Sequence, residues 1–206
     1  MRRAVAACGR TAGSRVRVHR AAALPSRDIN AALLRVRAAA ALRAFNVGDY
    51  ALDIWLADDE RMRSLNRTHR GKDRTTDVLS FPYAHEHVTR AFLSPGALPL
   101  PTSRADARLG DVFVGIAAAR SAAVRVPSGC AADPAGLVPA VCGCYGRLYA
   151  AAAPVGVDDA CWLLAVHGIC HLLGHTHEDV ADTAAMIADE DSALRAAEHA
   201  IAARGG

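Results

Sequence analysis

The sequence predicts an α+β fold, a single small domain with a mixed sheet of about four strands packed by helices. Three observations carry that expectation. Stretches of two-residue apolar alternation interleave with stretches of helical spacing, so strands and helices share one layered core. With 206 residues, 52% of them hydrophobic, the chain is long enough for one core and too apolar for wholesale disorder. No apolar run approaches the ~18 uninterrupted residues of a membrane span, because Arg147, Pro154 and His167 cut the most apolar stretches.

Each element follows from its own residues. "VRVHR" (16–20) is short and alternating, as a first strand would be. Residues 28–45 place Ile29, Leu33, Val36, Leu42 and Phe45 near helical spacing, with Asp28 as the N-cap. "YALDIWLAD" (50–58) alternates and is rich in branched and aromatic residues, a strand. Asp58, Asp59 and Glu60 give an acidic first turn to a helix that runs to about Arg70 and stops at Gly71. "TTDVLSFPY" (75–83) is a further strand, with Pro82 at an edge or at its end. Turn formers fill residues 85–108, a long loop; "LGDVFVGI" (109–116) is a strand, and a short helix follows from Ala117 to about Val124. Proline, glycine and cysteine crowd residues 126–156, which read as a surface insertion. Asp158 then caps "DDACWLLAVHGICHLL", Gly174 ends it, and a last helix spans roughly 179–203 with Met186, Ile187, Leu194 and Ile201 on its apolar face.

Charge is unevenly spread. Residues 1–43 hold ten of the 24 basic residues and one of the 21 acids, so this front carries +9 and the remainder −6. Such a front attracts phosphate backbones by charge neutralisation and counterion release. Its first residues, "MRRAVAACGRTAGS", are arginine-rich and acid-free, the composition of a mitochondrial transit peptide or, alternatively, of a disordered N-terminus, so residues 1–15 are set apart from a domain at 16–204. A cytoplasmic location is the alternative. Six cysteines without a secretory signal, two of them (Cys161, Cys170) inside an apolar helical pattern, point to reduced thiols.

The chemistry concentrates in "HGICHLLGHTH" (167–177). His167 and His171 are four apart on a helix, so both rings leave one face a turn apart. Gly174 lets the chain turn back, which brings His177 toward the same point; His175 competes for that third place. Three neutral nitrogen donors with one open position is the layout of a catalytic zinc site, one ion per chain. Asp111, Glu178 and Asp179 are candidates to orient the rings. The stretch is also close to the zinc-protease pattern H-E-x-x-H, but Gly168 stands where the glutamate would be.

Those residues resemble the signature of the YbeY family of metal-dependent endoribonucleases, H-G-x-x-H-L-x-G-[aromatic]-x-H. His167, Gly168, His171, Leu172, Gly174 and His177 match; His175 departs at the aromatic position. "LNRTHRGKDRTTDVLSFPY" (65–83) is similar to a second family block, with His69 at its aromatic position and Thr75 where proline is usual, and "LGDVF" (109–113) resembles the family's L-G-D strand. The three blocks cover most of 50–195 and omit the first fifteen residues and the 126–156 insertion. The resemblance selects His177 as third ligand. It implies a zinc-dependent, single-strand-specific endoribonuclease in ribosomal RNA maturation, with a ribosomal RNA precursor as partner, a small-subunit ribosomal protein as a further candidate, and mitochondrial residence as in animal members. It gives no oligomeric state.

On this reading Arg70 and His171 are the expected catalytic residues. Phosphodiester cleavage spreads negative charge over non-bridging oxygens, and a planar guanidinium can hold two of them. Lys72 and Arg74 would extend a basic lip, while Thr76, Asp77 and Ser80 are candidates to line the cleft. Gly168 removes the general base a peptide hydrolase needs and, on sequence grounds, leaves room for substrate against the helix. Two rivals remain: another zinc hydrolase, and an RNA-binding ribosome-assembly factor with a structural metal.

Overall fold

The structure, a computed structural model, describes residues 15–22, 29–83, 107–124, 144, 148 and 155–205. Among them run β1 (Val16–Arg20), α1 (Ala31–Ala44), β2 (Ala51–Ala57), α2 (Asp59–Arg70), β3 (Val78–Pro82), β4 (Arg108–Gly115), α3 (Ile116–Val124), α4 (Val157–Leu172) and α5 (Val180–Gly205). The strands form one four-stranded sheet in the order β1-β2-β4-β3. β1, β2 and β4 are parallel, and β3 runs antiparallel to β4. The mixed-sheet α+β architecture expected from the sequence is the one observed.

The period of two divides each strand between two faces. Leu52, Ile54 and Leu56 of β2 and Val112 and Val114 of β4 point into the main core, shared with α1, α3, α4 and α5. Burial of each such side chain contributes roughly 1.5–3 kcal/mol. Their alternates face the other way, where Met62 and Leu65 of α2 pack on Ala57, Phe113, Leu79 and Phe81. α4 is buried all round from Ala160 to Cys170. A helix apolar on every side has to be enclosed, and α4 lies between the sheet and α1, α3 and α5.

β4 carries an irregularity where Ala51 pairs with Arg108 but Leu52 pairs with Gly110. Gly110 sits at φ 145°, and a Cβ there would lie 2.3 Å from the Phe81 carbonyl oxygen. The glycine of "LGD" is therefore what lets β3 and β4 approach.

Several element ends differ from expectation. Asp28 lies outside the described residues; the α1 cap is Asn30, whose side chain accepts from the Leu33 N–H at 3.0 Å. Asp158 does not cap α4. It lies in the first turn and accepts from the Asn30 N–H at 2.7 Å, while Gly156 occupies the cap position. β3 starts at Val78 rather than Thr75, because the Asp77 carboxylate accepts from the Val78 N–H and the Thr76 hydroxyl and holds a local turn. α2 begins as expected, with the Asp58 carboxylate accepting from the Arg61 N–H, and ends at a left-handed Gly71.

The loop expected at 85–108 falls outside the described residues up to 106, and Arg108 already belongs to β4. Of the supposed surface insertion, Cys144 and Leu148 are helical and buried in the main core. Those two positions are internal, contrary to the surface reading. No helix among the described residues is long and apolar enough to cross a membrane.

Candidate metal centre

α4 delivers two of the three histidines. His167 and His171 are buried and half-buried, with ring centroids 4.6 Å apart and the two Nε2 atoms 3.0 Å apart. The chain leaves α4 at Leu172, turns at Gly174 (φ 95°), and brings exposed His177 to 5.7 Å from the His167 ring and 5.2 Å from the His171 ring, centroid to centroid. One ligand atom from each of the three lies within 4.8 Å of the others. Among the described residues this is the one such group of histidine, cysteine and acidic side chains. His175 is not in it.

The hydrogen bonds behind the rings decide what the rings offer. The His171 Nδ1–H donates to the His175 carbonyl oxygen at 3.0 Å, and the His167 Nδ1–H donates to a Glu190 carboxylate oxygen at 2.7 Å. Both Nε2 atoms then present lone pairs toward one another, an arrangement that repels in neutral rings and that one cation satisfies. Tetrahedral zinc with bonds of ~2.0–2.1 Å sets donor nitrogens about 3.3 Å apart, close to the spacing found. Burial, with help from the neighbouring histidines and Arg70, lowers the His171 pKa to about 4, so the ring is a neutral donor at neutral pH. The donor set fits a zinc ion.

Two of the expected orienting groups, Asp111 and Asp179, have other partners. Asp111 faces the opposite side of the sheet and accepts from the Trp55 indole N–H at 2.8 Å. The Asp179 carboxylate accepts from the Asp182 N–H at the start of α5. Glu190, which sequence reasoning missed, is buried and bridges His167 to the Cys144 N–H at 2.7 Å. A signal for it existed. Glu190 lies four residues from both Met186 and Leu194, inside the buried stripe of α5, and an acid in such a stripe announces a partner.

Gly168 also acts otherwise than expected. A Cβ there would meet Val112 Cγ1 at 2.6 Å, Ser80 Oγ at 3.0 Å and Val78 Cγ2 at 3.1 Å. The position is filled by the sheet and offers no room to substrate. The Ser80 hydroxyl donates to the Gly168 carbonyl at 2.9 Å, so Ser80 ties α4 to β3 rather than lining a cleft. Arg70 is exposed at the end of α2, near enough for its charge to act on His171. Lys72 and Arg74 are exposed beside it, in a turn held by the Asn66 amide donating to the Arg74 carbonyl at 2.8 Å. His69 packs on Phe81 at 4.7 Å between ring centroids, as an aromatic residue would.

Comparison with known proteins agrees with this geometry. The family model described as endoribonuclease YbeY matches residues 20–131 and 142–198. A protein of Anaeromyxobacter dehalogenans named endoribonuclease YbeY is 37% identical over 82% of this chain and 65% of its own length. A second, from Anaeromyxobacter sp. (strain Fw109-5), is 35% identical over 79% of this chain and 62% of its own length. A Homo sapiens protein of the same name is 29% identical over 81% and 79%. The chain thus spans just under two thirds of the two bacterial relatives. The match over more than half its residues, together with the histidine cluster, shows that this chain belongs to the endoribonuclease YbeY family.

Proposed function

We propose that this protein is a zinc-dependent, single-strand-specific endoribonuclease acting on a ribosomal RNA precursor during ribosome maturation. The observation that carries the reading is the 3.0 Å approach of the His167 and His171 Nε2 atoms, with His177 beside them. His167, His171 and His177 would hold the ion, leaving a coordination position for substrate or water. Bound there, zinc supplies Lewis-acid polarisation of a phosphoryl oxygen or a water of lowered pKa.

The remaining work falls to the chain. Glu190 and the His175 carbonyl hold the His167 and His171 rings in one tautomer. Arg70, exposed and electrostatically coupled to His171, would meet the negative charge that develops on non-bridging oxygens, and exposed Lys72 and Arg74 would give the same lip a positive approach. Position 168 packs on the sheet and presents no base to a peptide bond, which favours a nuclease over an amide hydrolase. A small-subunit ribosomal protein partner belongs to the same proposal. So does mitochondrial residence, supported by the acid-free, arginine-rich start; a tagged full-length chain that stays in the cytoplasm would remove it.

Metal content and cleavage of single-stranded RNA, measured on three proteins, test the reading. The wild type carries one zinc and cuts. His171→Ala loses both, and Arg70→Ala keeps zinc while cleavage falls by about 10²–10³-fold, the scale of a lost transition-state charge partner. A His171→Ala protein that retained metal and cleavage would contradict the assignment.

A further inference from the structure

We propose that His175 and Asp189 form a positioning pair for the metal centre, fixing the backbone carbonyl that sets the tautomer of His171. This rests on the three-histidine metal reading above.

His175 stands where the family motif carries an aromatic residue, and it is buried. A buried imidazole without a partner is costly, and here the ring's Nε2 meets Asp189 Oδ2 at 2.8 Å. The same residue's carbonyl oxygen accepts from the His171 Nδ1–H at 3.0 Å, and its own N–H donates to the Cys170 carbonyl at 3.1 Å. Just before it, Gly174 has no side chain to anchor the turn and sits at φ 95°. The His175 ring is therefore one side-chain anchor of the peptide unit that faces His171, on its N-terminal side, while the Thr176 hydroxyl, donating to Asp182 at 2.6 Å, holds the other side. Asp189 and Glu190 are consecutive on α5, so one turn of that helix holds both halves of the site. Glu190 holds a ligand directly, through the His167 ring. Asp189 holds one indirectly, through the His175 ring and then its carbonyl.

A ring that merely filled space would give a different result from a ring that holds a hydrogen bond, and substitutions separate the two. Phenylalanine at 175 keeps the volume and loses the bond. Glutamine sets an amide nitrogen about where the imidazole Nε2 stands. At 189, leucine removes the acceptor and asparagine retains one. Cobalt(II) serves as the probe, because its visible bands report coordination geometry without any need for RNA.

The metal-free full-length protein is titrated with Co²⁺, and the complex is then competed with Zn²⁺. His175→Phe and Asp189→Leu should each weaken Co²⁺ binding on the order of 10–100-fold, the usual effect of removing an orienting partner, and shift the bands. His175→Gln and Asp189→Asn should stay near wild type, and the double variant His175→Phe/Asp189→Leu should be no worse than either single change. Wild-type affinity and bands in His175→Phe and Asp189→Leu would overturn the pair, as would full additivity in the double variant. If His175→Phe does not fold, Asp189→Leu carries the test, since the Asp189 side chain is 40% exposed. His171→Ala is the control that isolates the underlying reading. If it binds Co²⁺ as tightly as wild type, the metal assignment itself has failed and the pair falls with it.

Discussion

Asp53 shows how single residues set the conditions under which this protein is stable. Burial pushes its carboxyl up, but hydrogen bonds from Arg17 at 2.5 Å and His19 at 2.6 Å outweigh that and hold it below the ordinary aspartate value. A carboxyl whose folded pKa is depressed contributes stability fully above its unfolded value, near 4, and loses it as pH falls through the folded value. Asp53→Asn should therefore cost about 1–3 kcal/mol at pH 7. The gap between variant and wild type should close below about pH 4 in denaturant titrations; a gap that stayed constant with pH would show that the charge is not what matters. The residues of the candidate site were unevenly legible in the sequence. The three histidines stood out because ligand spacing on a helix is local. Glu190 and Asp189 did not, since their partners are 23 and 14 residues away and become neighbours only when α5 folds back on α4.

Gly168 belongs to the scale of elements, because its lack of a side chain sets how closely α4 approaches β3 and β4. Gly168→Ala would push a methyl group into Val112 and Ser80, and overpacking of this kind costs typically about 1–3 kcal/mol. The same displacement would move His167 and His171, which flank it, so zinc affinity should fall along with the melting temperature. A Gly168→Ala protein with unchanged melting temperature and zinc affinity would refute this account of the packing. The four strands and the helices α1 to α5 were legible, since periods of 2 and 3.6 are written in the chain itself, whereas the helical positions Cys144 and Leu148 were not. The ends were less so. Asp158 looked like a cap, but tertiary structure uses it to receive the Asn30 N–H, and no local pattern reports a bond between residues 128 apart.

At the scale of the whole molecule, one core joins the sheet, α1, α3, α4 and α5, and it includes Cys144 and Leu148 from the stretch whose composition predicts a surface insertion. Leu148 is 4% exposed and Cys144 1%, and the Cys144 N–H meets Glu190 behind His167. Proline and glycine density predicts a surface segment, and at these two positions the side chains are buried instead. Leu148→Ala should cost about 2–5 kcal/mol, as cavity-forming core changes do, in a chemical-denaturation midpoint; a cost under about 0.5 kcal/mol, the range of surface changes, would restore the surface reading. The central claim concerns the ion that His167, His171 and His177 would hold. Zinc-edge X-ray absorption of the purified protein should show three imidazole nitrogens at ~2.0–2.1 Å and one exchangeable oxygen. A sulfur neighbour, or a fourth side-chain ligand that closes the open position, would contradict it.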